Sequence, residues 1–153
     1  MTLYVKARGF TLVELVTVMI LLGVLAIVVL PRFSSRDGYA EYAVRDQFIS
    51  AFHYAQQRAM YDHGGDCYRV NLTAAGFGPQ RSGLYIGPVA EVALSDDYEG
   101  VSLTPQLPLY FDGLGNTYST SCNIDILTDP YIITLNPSGI QLQVYSTGFI
   151  KAL

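Results

Sequence analysis

Between Phe10 and Leu30 the chain runs for 21 residues with a single charged side chain, Glu14. No other feature restricts the fold as much. As a helix this run is about 31 Å long, the thickness of a bilayer's hydrocarbon core. Its apolar surface needs either lipid or other apolar helices around it. Hydrophobic residues make up 50% of the chain and charged residues 14%, against roughly a quarter charged in soluble domains. Most of that imbalance sits in this one run, and the residues beyond about 38 suffice for one ordinary core.

The nine residues ahead of the run, Met1 to Gly9, contain Lys6 and Arg8 and no acid. Positive charge at that end holds it in the cytoplasm and sends the rest of the chain outward. A secretory signal peptide has a shorter apolar stretch of about 7–15 residues and a small-residue cleavage site after it. Here the run ends Ile27-Val28-Val29-Leu30-Pro31, which offers no such site. A plain transmembrane anchor is the simpler alternative. A carboxylate inside a bilayer costs a few kcal/mol and marks function by default, so Glu14 is the residue that the simple anchor leaves unexplained. On a continuous helix Glu14 would lie one turn from Phe10, on the same face. Thr11 and Thr17 suit membrane helix packing and carry no further signal. Gly23 and Pro31 weaken the helix locally.

The order Arg8-Gly9-Phe10-Thr11-Leu12-Val13-Glu14-Leu15 resembles the processing motif of type IV prepilins and type II secretion pseudopilins at every position. The resemblance implies cleavage by prepilin peptidase after Gly9, N-methylation of Phe10, and filament assembly through Glu14, which neutralises the new amine of a neighbouring subunit. It implies as partners other pilin subunits, the peptidase, inner-membrane lipid and the assembly platform, with no cofactor. It places the chain in a bacterial inner membrane, N-terminus cytoplasmic and head periplasmic, and afterwards on a pilus. In filaments of that family the helix can lose its regular form, and residues 23–32 are the expected place here.

That topology puts Cys67 and Cys122 outside the cytoplasm, where disulfides persist. A bond between them would close a loop worth roughly 4 kcal/mol in the chain-entropy model. Two buried thiols are the alternative.

The remaining chain reads as α+β: a long N-terminal helix, half transmembrane and half amphipathic, packed on a largely antiparallel β head. The expected segments are a leader 1–9, an assembly helix 10–30, a break 31–38, an amphipathic helix 39–65 and a β-rich head 66–153. Phe48, Phe52, Ala55, Ala59 and Met60 recur at the spacing of one helical face. Arg45, Gln56, Gln57 and Arg58 are then the polar side. Asp37 is a candidate N-cap and Gly64-Gly65 a stop. After Cys67 the period becomes alternating, with strands expected around 68–72, 84–86, 89–94, 101–103, 109–111, 131–135 and 140–145. Asn136-Pro137-Ser138-Gly139 joins the last two as a hairpin turn. The segments Ala51–Met60, Tyr110–Gly115 and Pro137–Gly139 are similar to the GspH/FimT group of minor pilins and pseudopilins.

No catalytic set is visible. His53 and His63 have no metal-ligand spacing, and Ser119, Ser121 and Cys122 lack an elbow that would expose a nucleophile. Asp112-Gly113-Leu114-Gly115-Asn116 falls short of a calcium loop; Asp96, Asp97 and Glu99 form a denser acidic cluster, read as a solvated loop in preference to a weak calcium site, so no metal is expected. From Ser82 to Leu153 the single base is Lys151 against seven acids, a surface that repels phosphate backbones. A nucleic-acid-binding role, as in DNA-uptake pilins, is therefore disfavoured, and the twelve tyrosines read as strand and interface residues.

Overall fold

The computed structural model describes residues 10–33, 37–62, 64–87, 91–122 and 126–153. They fall into two compact units, the first up to Arg36 and the second from Asp37.

The first unit is one helix, α1 (Leu12–Phe33), about 33 Å long at 1.5 Å per residue. Its backbone stays helical through Gly23 and Pro31. The side chains described on it, Leu12 to Ala26, are all exposed, as an apolar helix without its surroundings must be. Thr17 spares its hydroxyl from that setting by donating to the carbonyls of Val13 and Glu14 at 3.0 and 2.9 Å. Among the described residues no helix is long and apolar enough to cross a membrane.

The second unit opens with α2 (Asp37–Tyr61). Its buried stripe is Val44, Phe48, Ala51, Phe52, Ala55 and Ala59, spaced at threes and fours as one face requires. Met60 is not on it. One residue beyond Ala59, it is turned about 100° away and is 44% exposed. Gln56, expected among the polar residues facing water, instead makes part-buried hydrogen bonds. The helix ends at Tyr61; past it Asp62 Oδ1 accepts the Gly64 amide at 2.8 Å, and Gly65 turns the chain at φ 77°.

Two antiparallel sheets follow. The first has the order β3-β2-β1-β6-β7, with β4 also paired to β2. Its strands are β1 (Tyr68–Leu72), β2 (Gly76–Arg81), β3 (Leu84–Tyr85), β4 (Val92–Ala93), β6 (Leu109–Phe111) and β7 (Thr117–Tyr118). The second has the order β10-β9-β8-β5, from β5 (Ser102–Thr104), β8 (Tyr131–Asn136), β9 (Gln141–Val144) and β10 (Ile150–Ala152). In β1 the alternation holds as read: Tyr68, Val70 and Leu72 are buried and their neighbours half-buried.

β2 was not anticipated, because Gly-Phe-Gly-Pro-Gln-Arg carries the residues that strands avoid. Its partners explain it: a Cβ on Gly76 would collide with the Val92 carbonyl, so only glycine lets β4 approach. Pro79 lies opposite Val70, and its carbonyl accepts from Ile86 at 2.9 Å. The strand expected over 89–94 is shorter. Val92–Ala93 pair with β2, and the chain then makes one helical turn, α3 (Leu94–Asp97); residues 88–90 lie outside the described residues. β7 and β10 were likewise not foreseen.

α2 lies over β1, β2 and β6 and touches β8. Phe48 meets Phe77 edge-on at 5.3 Å between ring centroids, and Phe52 meets Phe111 at 4.8 Å, arrangements worth about 0.5–1.5 kcal/mol each beyond burial. Glu41, only 5% exposed, reaches the β8–β9 turn, where its Oε1 accepts the Ser138 amide at 3.0 Å. Cys67, just before β1, is bonded to Cys122, after β7, with Cα atoms 5.8 Å apart. The bridge pins the entry of the first sheet to the loop leaving its far edge.

Candidate functional site

At the start of α1, Leu12 is the first helical residue. The Thr11 carbonyl accepts the first intrahelical bond, from Leu15 N at 3.2 Å, and its Oγ1 accepts from Glu14 N at 3.3 Å. Thr11 is therefore the N-cap, and Glu14 is the third residue of the helix, in the spacing of a capping box. Glu14 stands in the first turn, where the helix dipole favours a carboxylate. Phe10 is 82% exposed and precedes the helix. The expected shared face of Phe10 and Glu14 is thus not a helical face, because the cap ends the helix between them. The signal for the cap, Thr-x-x-Glu, is in the sequence, beyond the packing role that suits Thr11 in a membrane helix. Gly9 lies outside the described residues.

In the head, polar side chains are spent on holding loops. Gln56 Nε2 donates to the carbonyls of Gly115 and Gly148, each at 2.9 Å. Both glycines have positive φ, 87° and 79°, and a Cβ on Gly148 would strike the Gly115 carbonyl and the Gln56 amide. One helix side chain thereby ties together two distant turns. No local pattern marks Gln56 for this.

The Asp112 loop is a closed turn. Asp112 Oδ1 accepts the amides of Leu114 and Asn116 at 2.9 and 2.7 Å, and Oδ2 accepts from Asn116 Nδ2 and the Tyr118 hydroxyl at 2.9 and 3.0 Å. Burial pushes its carboxyl upward, but the donors, led by Asn116, outweigh that and leave it below the ordinary 3.8. With both oxygens occupied it offers no free ligand to a cation. The side chains of Asp96 and Asp97 lie outside the described residues, and Glu99 is exposed. Among the described residues no group of three or more His, Cys, Asp or Glu side chains could hold a metal.

Near the end of α2, Arg58 Nε donates to the Tyr54 hydroxyl at 3.2 Å. Arg81 is paired with Asp66 and, at 3.2 Å, with Asp62. The Tyr68 hydroxyl donates to Asp62 at 2.6 Å; burial first, then that bond, pushes its pKa up. His53 is exposed beside the Phe52 ring, and His63 lies outside the described residues. Cys122 is consumed in the disulfide.

The model of the prokaryotic N-terminal methylation motif matches residues 5–30. That match supports a type IV pilin-like family, one of processed, membrane-anchored and pilus-associated subunits that are structural rather than enzymatic. It implies cutting by prepilin peptidase and assembly with other pilin subunits. The match ends with the apolar run and leaves the head uncovered. No curated protein and no solved structure matches the chain.

Proposed function

We propose that the chain is a minor structural subunit of a type IV pilus. Residues 10–30 hold it in the inner membrane with the head outside; prepilin peptidase cuts after Gly9 and methylates Phe10. The helix then leaves the lipid sideways to pack among like helices, and the head makes subunit contacts at the filament surface. The observation that carries this reading is the methylation motif over residues 5–30, with Glu14 held in the first turn behind the Thr11 cap. A carboxylate in apolar surroundings costs several kcal/mol unless it is paired. The amine released at Phe10 is the cation that processing supplies, and on a neighbouring subunit it both neutralises Glu14 and sets the stagger between helices.

The minor-subunit assignment rests on the short likenesses at Ala51–Met60, Tyr110–Gly115 and Pro137–Gly139 to GspH/FimT proteins, and most of all to the minor pilin MshC of the mannose-sensitive haemagglutinin pilus. Secretion pseudopilins share the same N-terminus, so the filament that takes up the chain separates the two. Replacing Glu14 with Ala tests the proposal. Leader removal should persist while recovery of the chain in sheared pili falls at least tenfold. Undiminished recovery would refute the role given to Glu14.

A further inference from the structure

The cap at Thr11 lies one residue beyond the Gly9–Phe10 bond. A protease needs the backbone around its scissile bond extended and its amides free, and a helix provides neither. The pressure on this bond to become helical is considerable. α1 follows immediately for 22 residues, and the preceding Val5-Lys6-Ala7-Arg8 contains good helix formers that would accept an extension. Two residues oppose it. Gly9 is a poor helix former, and Thr11, the residue just ahead of the helix, diverts the Glu14 amide to its own hydroxyl at 3.3 Å. We infer that Thr11 is a positioning residue for leader removal: by capping α1 it holds Phe10, which follows the bond to be cut, exposed and ahead of the helix, where a peptidase cleft can take it.

The inference rests on the proposed processing at Gly9 and makes a claim about side-chain chemistry that processing alone does not. A cap is judged by its acceptor and its backbone, not by its shape. Ser and Asn cap as well as Thr, Gly nearly as well, and Val and Ala poorly. The full-length chain in inner-membrane vesicles, incubated with prepilin peptidase, gives an initial rate of loss of residues 1–9 for each variant. Thr11→Ser, Thr11→Asn and Thr11→Gly should be cut within about twofold of the parent. Thr11→Val, the closest in shape, and Thr11→Ala should be slower by about fivefold, the ~1 kcal/mol of an ordinary cap converted at 1.36 kcal/mol per tenfold. Parent-like cutting of Thr11→Val overturns the inference. So does a Thr11→Gly rate as low as that of Thr11→Val, which would mean that the peptidase reads the hydroxyl directly. A parent chain that is not cut at all refutes the processing reading itself, a result distinct from either.

Discussion

The N-terminal segment and the head hold their information at different distances along the chain. From Phe10 to Glu14 the exposed aromatic residue, the cap and the acid are neighbours, and the bond that organises them spans three residues. In the head, Gln56 reaches carbonyls 59 and 92 positions away, and Glu41 reaches an amide 97 positions away. In the proposed function the first is read by a peptidase and then packs into a filament core, a task suited to a short, self-contained unit. The second, displayed outside the cell in that proposal, is held by contacts that only folding brings together. The two should therefore fail independently.

The largest effect expected in the head comes from its centre. Phe52→Ala removes a fully buried ring packed on Phe111 and should cost about 3–5 kcal/mol, read by urea unfolding of the whole chain in detergent micelles. Leader removal should be unchanged, and a parallel loss of cutting would break the separation. Gln56→Ala sharpens the comparison at smaller scale. It strands two carbonyls, at Gly115 and Gly148, for about 2 kcal/mol, and amide exchange should quicken around both turns together. Exchange rising at one alone would mean that the turns are held separately.

Acid should give the smallest effect. The Asp112 carboxyl is depressed below 3.8 in the folded chain, so its contribution is complete above that value and disappears as pH falls through the lower folded value. Asp112→Asn places an amide against the Asn116 amide, costs about 1 kcal/mol at neutral pH, and should flatten part of the acid-induced loss below pH 4. An unaltered acid transition would show that the carboxylate does not hold this turn.

The same contrast explains how much was legible beforehand. β1 and the β8–β9 hairpin could be read because Tyr68, Val70 and Leu72, and the turn around Pro137, obey local rules. β2 could not, since the reason for Gly76 lies on Val92 in another strand. Met60 was misplaced because a run of two apolar residues does not say which one faces inward. At the N-terminus the motif is plain, yet the cap hides within it, because Thr11 suits helix packing as well and only its spacing to Glu14 marks it as a cap. Gln56 offered nothing to read, as its partners are two glycine carbonyls that meet only in the fold.

In the proposed function this chain is made long and used short. Intact mass measurement of the protein recovered from assembled filaments tests it most directly. The predicted mass lacks residues 1–9, carries one added methyl on Phe10, and is lighter by two hydrogens through the Cys67–Cys122 bond. A mass that keeps the first nine residues, or an unmodified Phe10 in the filament, would contradict it.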